Sequence, residues 1–210
     1  MQKVALIDYG SGNLRSAEKA LVRAADGHAE IVVTCEPESI LSADRLVLPG
    51  VGAFAACMRA FQARPGLEAA LIEAVRIRAK PFLGICVGMQ LLATRGLEFG
   101  ETVGLGWMEG DVRRIEPSNS AAKVPHMGWN QLLDPRGPHM IAEIGVSPMY
   151  FTHSYAFFPS HPEDVAAFVD HGGVFPAAVV RDNLAGVQFH PEKSQSAGLA
   201  LLARFLEWRP

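Results

Sequence analysis

Three cysteines in 210 residues, Cys35, Cys57 and Cys86, are odd in number and widely spaced, and no C-x-x-C pair or zinc-finger spacing joins them. A disulfide framework and a metal site are not expected, and no cofactor is called for. No apolar run approaches the roughly 20 residues that span a bilayer. The opening MQKVALIDYG lacks the basic start, long apolar core and cleavage site of a signal peptide. These absences predict a cytoplasmic chain that does not touch the membrane. Positive charge is not in excess either, since 19 Lys and Arg face 22 Asp and Glu for a net charge of −3, and no basic stripe is present. Nucleic acid is thereby disfavoured, and small molecules or proteins are the expected partners.

What the sequence does have is apolar material, 49% of residues against 20% charged, enough to bury a substantial core as one domain over 1–210. The first half alternates short β-branched runs with longer helical patterns, as parallel βαβ units do. KVALID (3–8), EIVVT (30–34), RLVLP (45–49) and PFLGI (81–85) read as strands. Helices are expected over 13–26, 53–63 and 67–79, the last from Leu67, Leu71, Ala74, Val75 and Arg78 at helical spacing. The second half has shorter apolar runs and more Gly and Pro, which suggests antiparallel or mixed strands with tight turns. A closing helix over 194–208 would set Leu199, Leu202, Phe205 and Leu206 on one face. The expected fold class is α/β, a mixed, mostly parallel open sheet flanked by helices, with additional antiparallel strands in the C-terminal half.

PFLGICVGMQ (81–90) carries the first chemical signal. A strand ending at Ile85 and a helix starting near Val87 force a sharp turn at Cys86, and the flanking glycines remove Cβ atoms that would crowd it. This is the G-x-nucleophile-x-G elbow with cysteine in place of serine. The thiol then faces the amides that open the following helix, which favour thiolate over thiol. The ordinary alternative is a buried cysteine packed beside a glycine turn.

GVQFHPEKSQ (186–195) adds the second signal. Residues two apart on a strand share a face, so His190 and Glu192 can line up at a strand end marked by Pro191. Such a pair completes a cysteine triad: the imidazole moves protons and the carboxylate fixes its tautomer. By itself H-P-E also fits a strand-end turn with a surface ion pair. LPGVGAF (48–54) supplies a third piece, because backbone amides between two glycines can turn toward a ligand. An N–H at Gly50 or Val51, with that of Val87, would hold a developing oxyanion, worth roughly 2.7–4 kcal/mol per donor. A plain strand-to-helix turn is the alternative there, and the dinucleotide fingerprint is not completed.

In this order the three segments resemble the class I glutamine amidotransferases, and the resemblance covers essentially the whole chain. IDYGSGNLRS (7–16), KVPHMGWN (123–130) and YFTHSY (150–155) narrow it to one branch. In that branch a glutaminase subunit pairs as a heterodimer with a cyclase shaped as a (β/α)₈ barrel and feeds it ammonia in histidine biosynthesis. IDYG-x-GN and PHMGWN are the specific segments. The resemblance implies that Cys86 forms a γ-glutamyl thioester, His190 is general acid and base, and Glu192 orients it. It further implies that Gln90 and Glu98 bind glutamine, Glu98 through the α-amino group, with Gly52 and the Ser154–Tyr155 backbone completing the pocket. Asn13, Trp129, Tyr150 and Lys193 match partner-facing positions, against the bland reading of two core aromatics and a solvated lysine. His126 and His153 are expected to be structural, and Cys35 and Cys57 carry no readable signal. Ser11 and Ala156 depart slightly from the family pattern. Three other readings stay open: a glutaminase serving another synthase such as that of pyridoxal phosphate, a stand-alone γ-glutamyl cysteine hydrolase, and a scaffold without activity.

Overall fold

The computed structural model describes residues 1–118 and 122–210. The N-terminal half runs β1 (Gln2–Ile7), α1 (Leu14–Ala25), β2 (Ala29–Thr34), α2 (Pro37–Ser42), β3 (Arg45–Gly50) and α3 (Phe54–Gln62). It continues with α4 (Leu67–Leu71), which passes into a π-helical turn at Ile72–Ile77, then β4 (Phe82–Cys86) and α5 (Val87–Gln90). The C-terminal half comprises β5 (Arg95–Gly96), β6 (Thr102–Val103), β7 (Gly110–Arg114), β8 (His126–Leu133), α6 (His139–Ala142), β9 (Pro148–His153) and β10 (Tyr155–Pro159). It closes with β11 (Val165–Asp170), β12 (Val174–Arg181), β13 (Leu184–Val187) and α7 (Gln195–Glu207).

Nine strands form one sheet in the order β2-β1-β3-β4-β13-β12-β11-β8-β9. The first five are mutually parallel and the remainder pair antiparallel. Every residue of β3, β4 and β13 is buried, because helices cover both faces of a parallel sheet, and their sequences are accordingly almost unbroken apolar runs. A second sheet, β10-β7-β5-β6, stands apart from the first. The chain crosses between the two at Ser154, directly after β9 and before β10. Among the described residues no helix is long and apolar enough to cross a membrane.

The single helix expected over 67–79 is instead an α-helix that widens after Leu71. Arg78 N bonds back to Glu73 O at 2.9 Å, the spacing of a π-turn, and Asn183 Nδ2 donates to Val75 O and Lys80 O, each at 2.8 Å, satisfying carbonyls at the helix end. Helix α2 has no counterpart among the sequence expectations, since Ile40 is its one buried residue and a single apolar position defines no period.

In open sheets of this kind ligands bind beyond the carboxyl ends of the strands, near the point where strand order reverses. Here β1 and β3 flank that point, and the pairings Gly50 with Cys86 and Val187 with Ile85 bring the ends of β3, β4 and β13 side by side.

Candidate active site

Cys86 stands between β4 and α5 with φ 55 and ψ −113, a conformation L-residues rarely adopt and one that costs on the order of 1–3 kcal/mol. The glycines around it are dictated by contact. A Cβ on Gly84 would lie 2.5 Å from Gly88 O, and one on Gly88 would lie 1.8 Å from Leu48 O. Strand β3 therefore presses against the start of α5 with no room for a methyl group. Cys86, Val87 and Gln90 are all buried, yet they border a cavity of about 360 Å³ that Val51, Gly52, Glu98, Ser154, Tyr155, His190 and Lys193 also line. Gly50 borders a small adjoining space together with Asn13, His190 and Glu192. The fold thus gathers the triad and pocket residues expected from sequence around one point.

His190 follows β13, and its Nδ1 lies 2.8 Å from Glu192 Oε1, both side chains being almost wholly buried. The carboxylate can only accept, so Nδ1 carries the hydrogen and Nε2 is left without a hydrogen-bond partner. Burial pulls the imidazole pKa down, but the neighbouring Cys86 sulfur and Glu192 carboxylate outweigh it and raise the value to about 9. At neutral pH the imidazole holds its proton.

The loop after β3 is pinned from behind. Val51 O accepts from Ser11 Oγ at 2.7 Å and from Cys57 Sγ at 3.3 Å, and these two side chains lie 3.2 Å apart. Burial raises the Cys57 pKa, which keeps its thiol a donor. Tyr9 stands against the same loop, its buried hydroxyl 2.8 Å from where a Gly50 Cβ would be. Neither Cys57 nor Tyr9 was singled out by sequence, since only the tertiary fold brings them to Val51 and Gly50.

Glu98 Oε2 accepts from Phe54 N, the first residue of α3, at 2.8 Å, so its carboxylate is fixed at the cavity edge. Gln90 Nε2 donates to Tyr155 O and to Gln188 Oε1, each at 2.9 Å. Gln188, fully buried, in turn directs Nε2 at Cys86 Sγ, 3.7 Å away. Gln188, which lies just past the end of β13, was also missed, because only the packing of the strands brings it to Cys86.

His126 and His153 support this wall. His153 Nδ1 lies 3.0 Å from Tyr155 O, which can only accept, so that nitrogen bears the hydrogen. His126 Nδ1, 3.0 Å from His153 Nε2, must then donate, and its own Nε2 accepts from Asn130 Nδ2 at 3.2 Å. Burial is the main reason both rings are held neutral, with His126 lowered to about 3 and His153 to about 4. An unfolded chain takes up these protons below about pH 6.5, whereas the folded one resists until the lowered values are reached. Stability is accordingly expected to be intact above pH 6.5 and to fall from there toward pH 4, by up to about 1.4 kcal/mol per pH unit for each ring. Urea unfolding across this range should show the decline, and His126→Gln should make it shallower.

Of the remaining expected positions, Lys193 lines the cavity and Asn13 the small adjoining space. Trp129, 49% exposed and so no core residue, pairs across β8 and β9 with half-buried Tyr150, ring centroids 6.0 Å apart. Lys193 Nζ sits 5.6 Å from the centre of the Tyr150 ring, and Asn13 is exposed at the start of α1.

Comparison with known proteins accords with this geometry. A sequence model of the family described as glutamine amidotransferase class-I matches residues 5–208. The imidazole glycerol phosphate synthase subunit HisH of Caulobacter vibrioides is 58% identical, with all of both chains covered. The protein of the same name from Rhodospirillum rubrum is 56% identical over 99% of this chain and 100% of its own. Among solved structures, one described as a glutamine amidotransferase superposes with TM-score 0.72 at 20% identity, covering 97% of each chain. A chain of PurLQS from Thermotoga maritima gives TM-score 0.65 at 17% identity, over 98% of each chain. These two show the fold, and the closer sequence relatives show more: the chain belongs to the class-I glutamine amidotransferases, among the HisH subunits of imidazole glycerol phosphate synthase.

Proposed function

We propose that the chain hydrolyses the side-chain amide of glutamine through Cys86, His190 and Glu192. The ammonia then passes to a cyclase subunit shaped as a (β/α)₈ barrel, which forms imidazole glycerol phosphate and the aminoimidazole carboxamide ribonucleotide. The observation that carries this reading is the meeting, in one cavity, of a cysteine held at an elbow with a buried His–Glu pair whose imidazole Nε2 is unspent.

The Cys86 sulfur attacks the amide carbon of glutamine, forming a C–S bond and placing negative charge on the carbonyl oxygen. Backbone N–H groups at Val87 and at Gly50 or Val51 receive that charge. His190 gives its proton to the amide nitrogen, the C–N bond breaks, and ammonia leaves a γ-glutamyl thioester. Having given up its proton, and with the sulfur now acylated, the imidazole is able to act as a base. It then takes a proton from water, hydroxide adds to the thioester, and glutamate leaves as the C–S bond breaks. Glu98 supplies an anion for the substrate's ammonium group, while Gln90, Gly52 and the Ser154–Tyr155 backbone orient the rest. Trp129, Tyr150, Lys193 and Asn13 form the face that meets the cyclase, where an exposed aromatic beside a cation suits an anchor.

The imidazolium is the acid for ammonia departure, so turnover should fall as pH rises through about 9, where His190 loses its proton. The raised value has the same sign in stability: the contribution is full below about pH 6.5 and is lost toward pH 9. A kcat–pH profile tests this, and Glu192→Gln, which removes one of the two supports of the proton, should move the alkaline limb to lower pH.

The experiment for the function as a whole is glutamate release from glutamine by the chain alone and with the cyclase and its ribonucleotide ligand. A large partner-dependent rise is expected. Equal turnover in both would favour a self-sufficient hydrolase.

A further inference from the structure

We infer that Gln188 is a further catalytic residue: its side-chain amide donates a hydrogen bond to Cys86 Sγ and so stabilises the attacking sulfur as an anion and fixes its direction. This rests on the reading of Cys86 as nucleophile. The polarity of the contact follows from the network around it. Tyr155 O is a carbonyl and can only accept, so the Gln90 group 2.9 Å from it must be the nitrogen. The same nitrogen, Gln90 Nε2, lies 2.9 Å from the Gln188 amide, which must therefore present its oxygen to Gln90. With Oε1 committed there, Gln188 Nε2 is the end left to face Cys86, at 3.7 Å. Two further facts isolate the side chain for this task. Its backbone N–H is already used on Ala177 O at 2.8 Å, and the residue is wholly buried, so water has no access to the amide. A buried amide without partners is costly, and here both ends are engaged only because the sulfur accepts from one of them. Gln188 therefore provides a donor that does not titrate, beside His190, which must gain and lose a proton during the reaction. It also ties the sulfur to Gln90, so that nucleophile and substrate-binding amide are set in one rigid chain from Tyr155 O to Cys86 Sγ.

The test compares the wild-type chain with Gln188→Met and Gln188→Leu, which keep apolar bulk and remove the donor. Cys86 thiolate is read from ultraviolet absorbance by difference from Cys86→Ala, and Cys86 alkylation by iodoacetamide is followed by peptide mass. Alkylation at neutral pH should slow about tenfold, as for loss of one hydrogen bond to a charged group, with a parallel loss of thiolate absorbance. An unchanged thiolate signal in either folded variant overturns the inference, whatever happens to turnover. If neither variant folds, the wild-type protein decides: the Gln188 side-chain amide resonance should move when Cys86 is alkylated, and a stationary resonance refutes the contact. Glutamine turnover that survives Cys86→Ala would instead defeat the nucleophile assignment, a result distinct from either outcome at Gln188.

Discussion

Cys86→Ala is expected to reduce glutamine hydrolysis to background, a loss of roughly ten-thousandfold or more. The magnitude follows from the division of labour in the cavity. In the proposed mechanism His190 and Glu192 move and steady a proton, but with no sulfur there is no covalent intermediate for them to serve, and water is a far weaker nucleophile toward an amide. Removing His190 should cost nearly as much, because members of such a unit are not additive. Glu192→Gln should cost less, since the imidazole remains in place with its Nδ1 partner changed from carboxylate to amide. Glutamate release by the chain with its cyclase measures all three, and an intact unfolding transition in Cys86→Ala would show that chemistry and not folding was lost. No gross disturbance is expected, since Cys86 occupies a strained turn that alanine fills with less bulk.

Gly88→Ala should act on the fold itself. Its added Cβ would sit 1.8 Å from Leu48 O, a backbone atom of β3, whose register with β4 is fixed from Leu46–Phe82 to Gly50–Cys86. Neither side can yield cheaply: α5 is anchored through Leu91 N on Val87 O at 2.8 Å, and β3 is buried along its whole length. Overpacking of a well-filled core costs about 1–3 kcal/mol in general, and a clash with main chain on both sides belongs at or beyond the upper end. Chemical denaturation should show a loss of at least about 3 kcal/mol or no folded protein at all. Gly52→Ala offers the contrast, because a Cβ there meets nothing within 4 Å and only its φ of 98 is unfavourable. That variant should fold and alter the cavity rim.

Much of the parallel half of the sheet was legible because β3 and β4 are buried along their whole length and read as apolar runs, and because α1, between β1 and β2, carries a clear apolar stripe. The elbow was legible for a related reason, since glycine on both sides of a cysteine at a strand end has few structural uses. The second sheet was not, because β5 and β6 are two residues long and carry no period. The end of the π-helical turn is held by Asn183, 108 residues from Val75 in sequence, a contact no local pattern near Ile72 reveals. The Ser11–Cys57 support of Val51 is likewise tertiary, joining the loop after β1 to the middle of α3. Gln188 lies just past the end of β13, and its bond to Cys86 depends on the packing of β13 against β4.

The most direct test of the account is covalent labelling of the chain with a glutamine-like chloromethyl ketone, followed by peptide mass analysis and residual activity in the cyclase complex. One label per chain on Cys86, slowed by added glutamine and matched by proportional loss of glutamate release, is the result predicted. Labelling at another residue, or glutamate release that persists when Cys86 is fully modified, would contradict it.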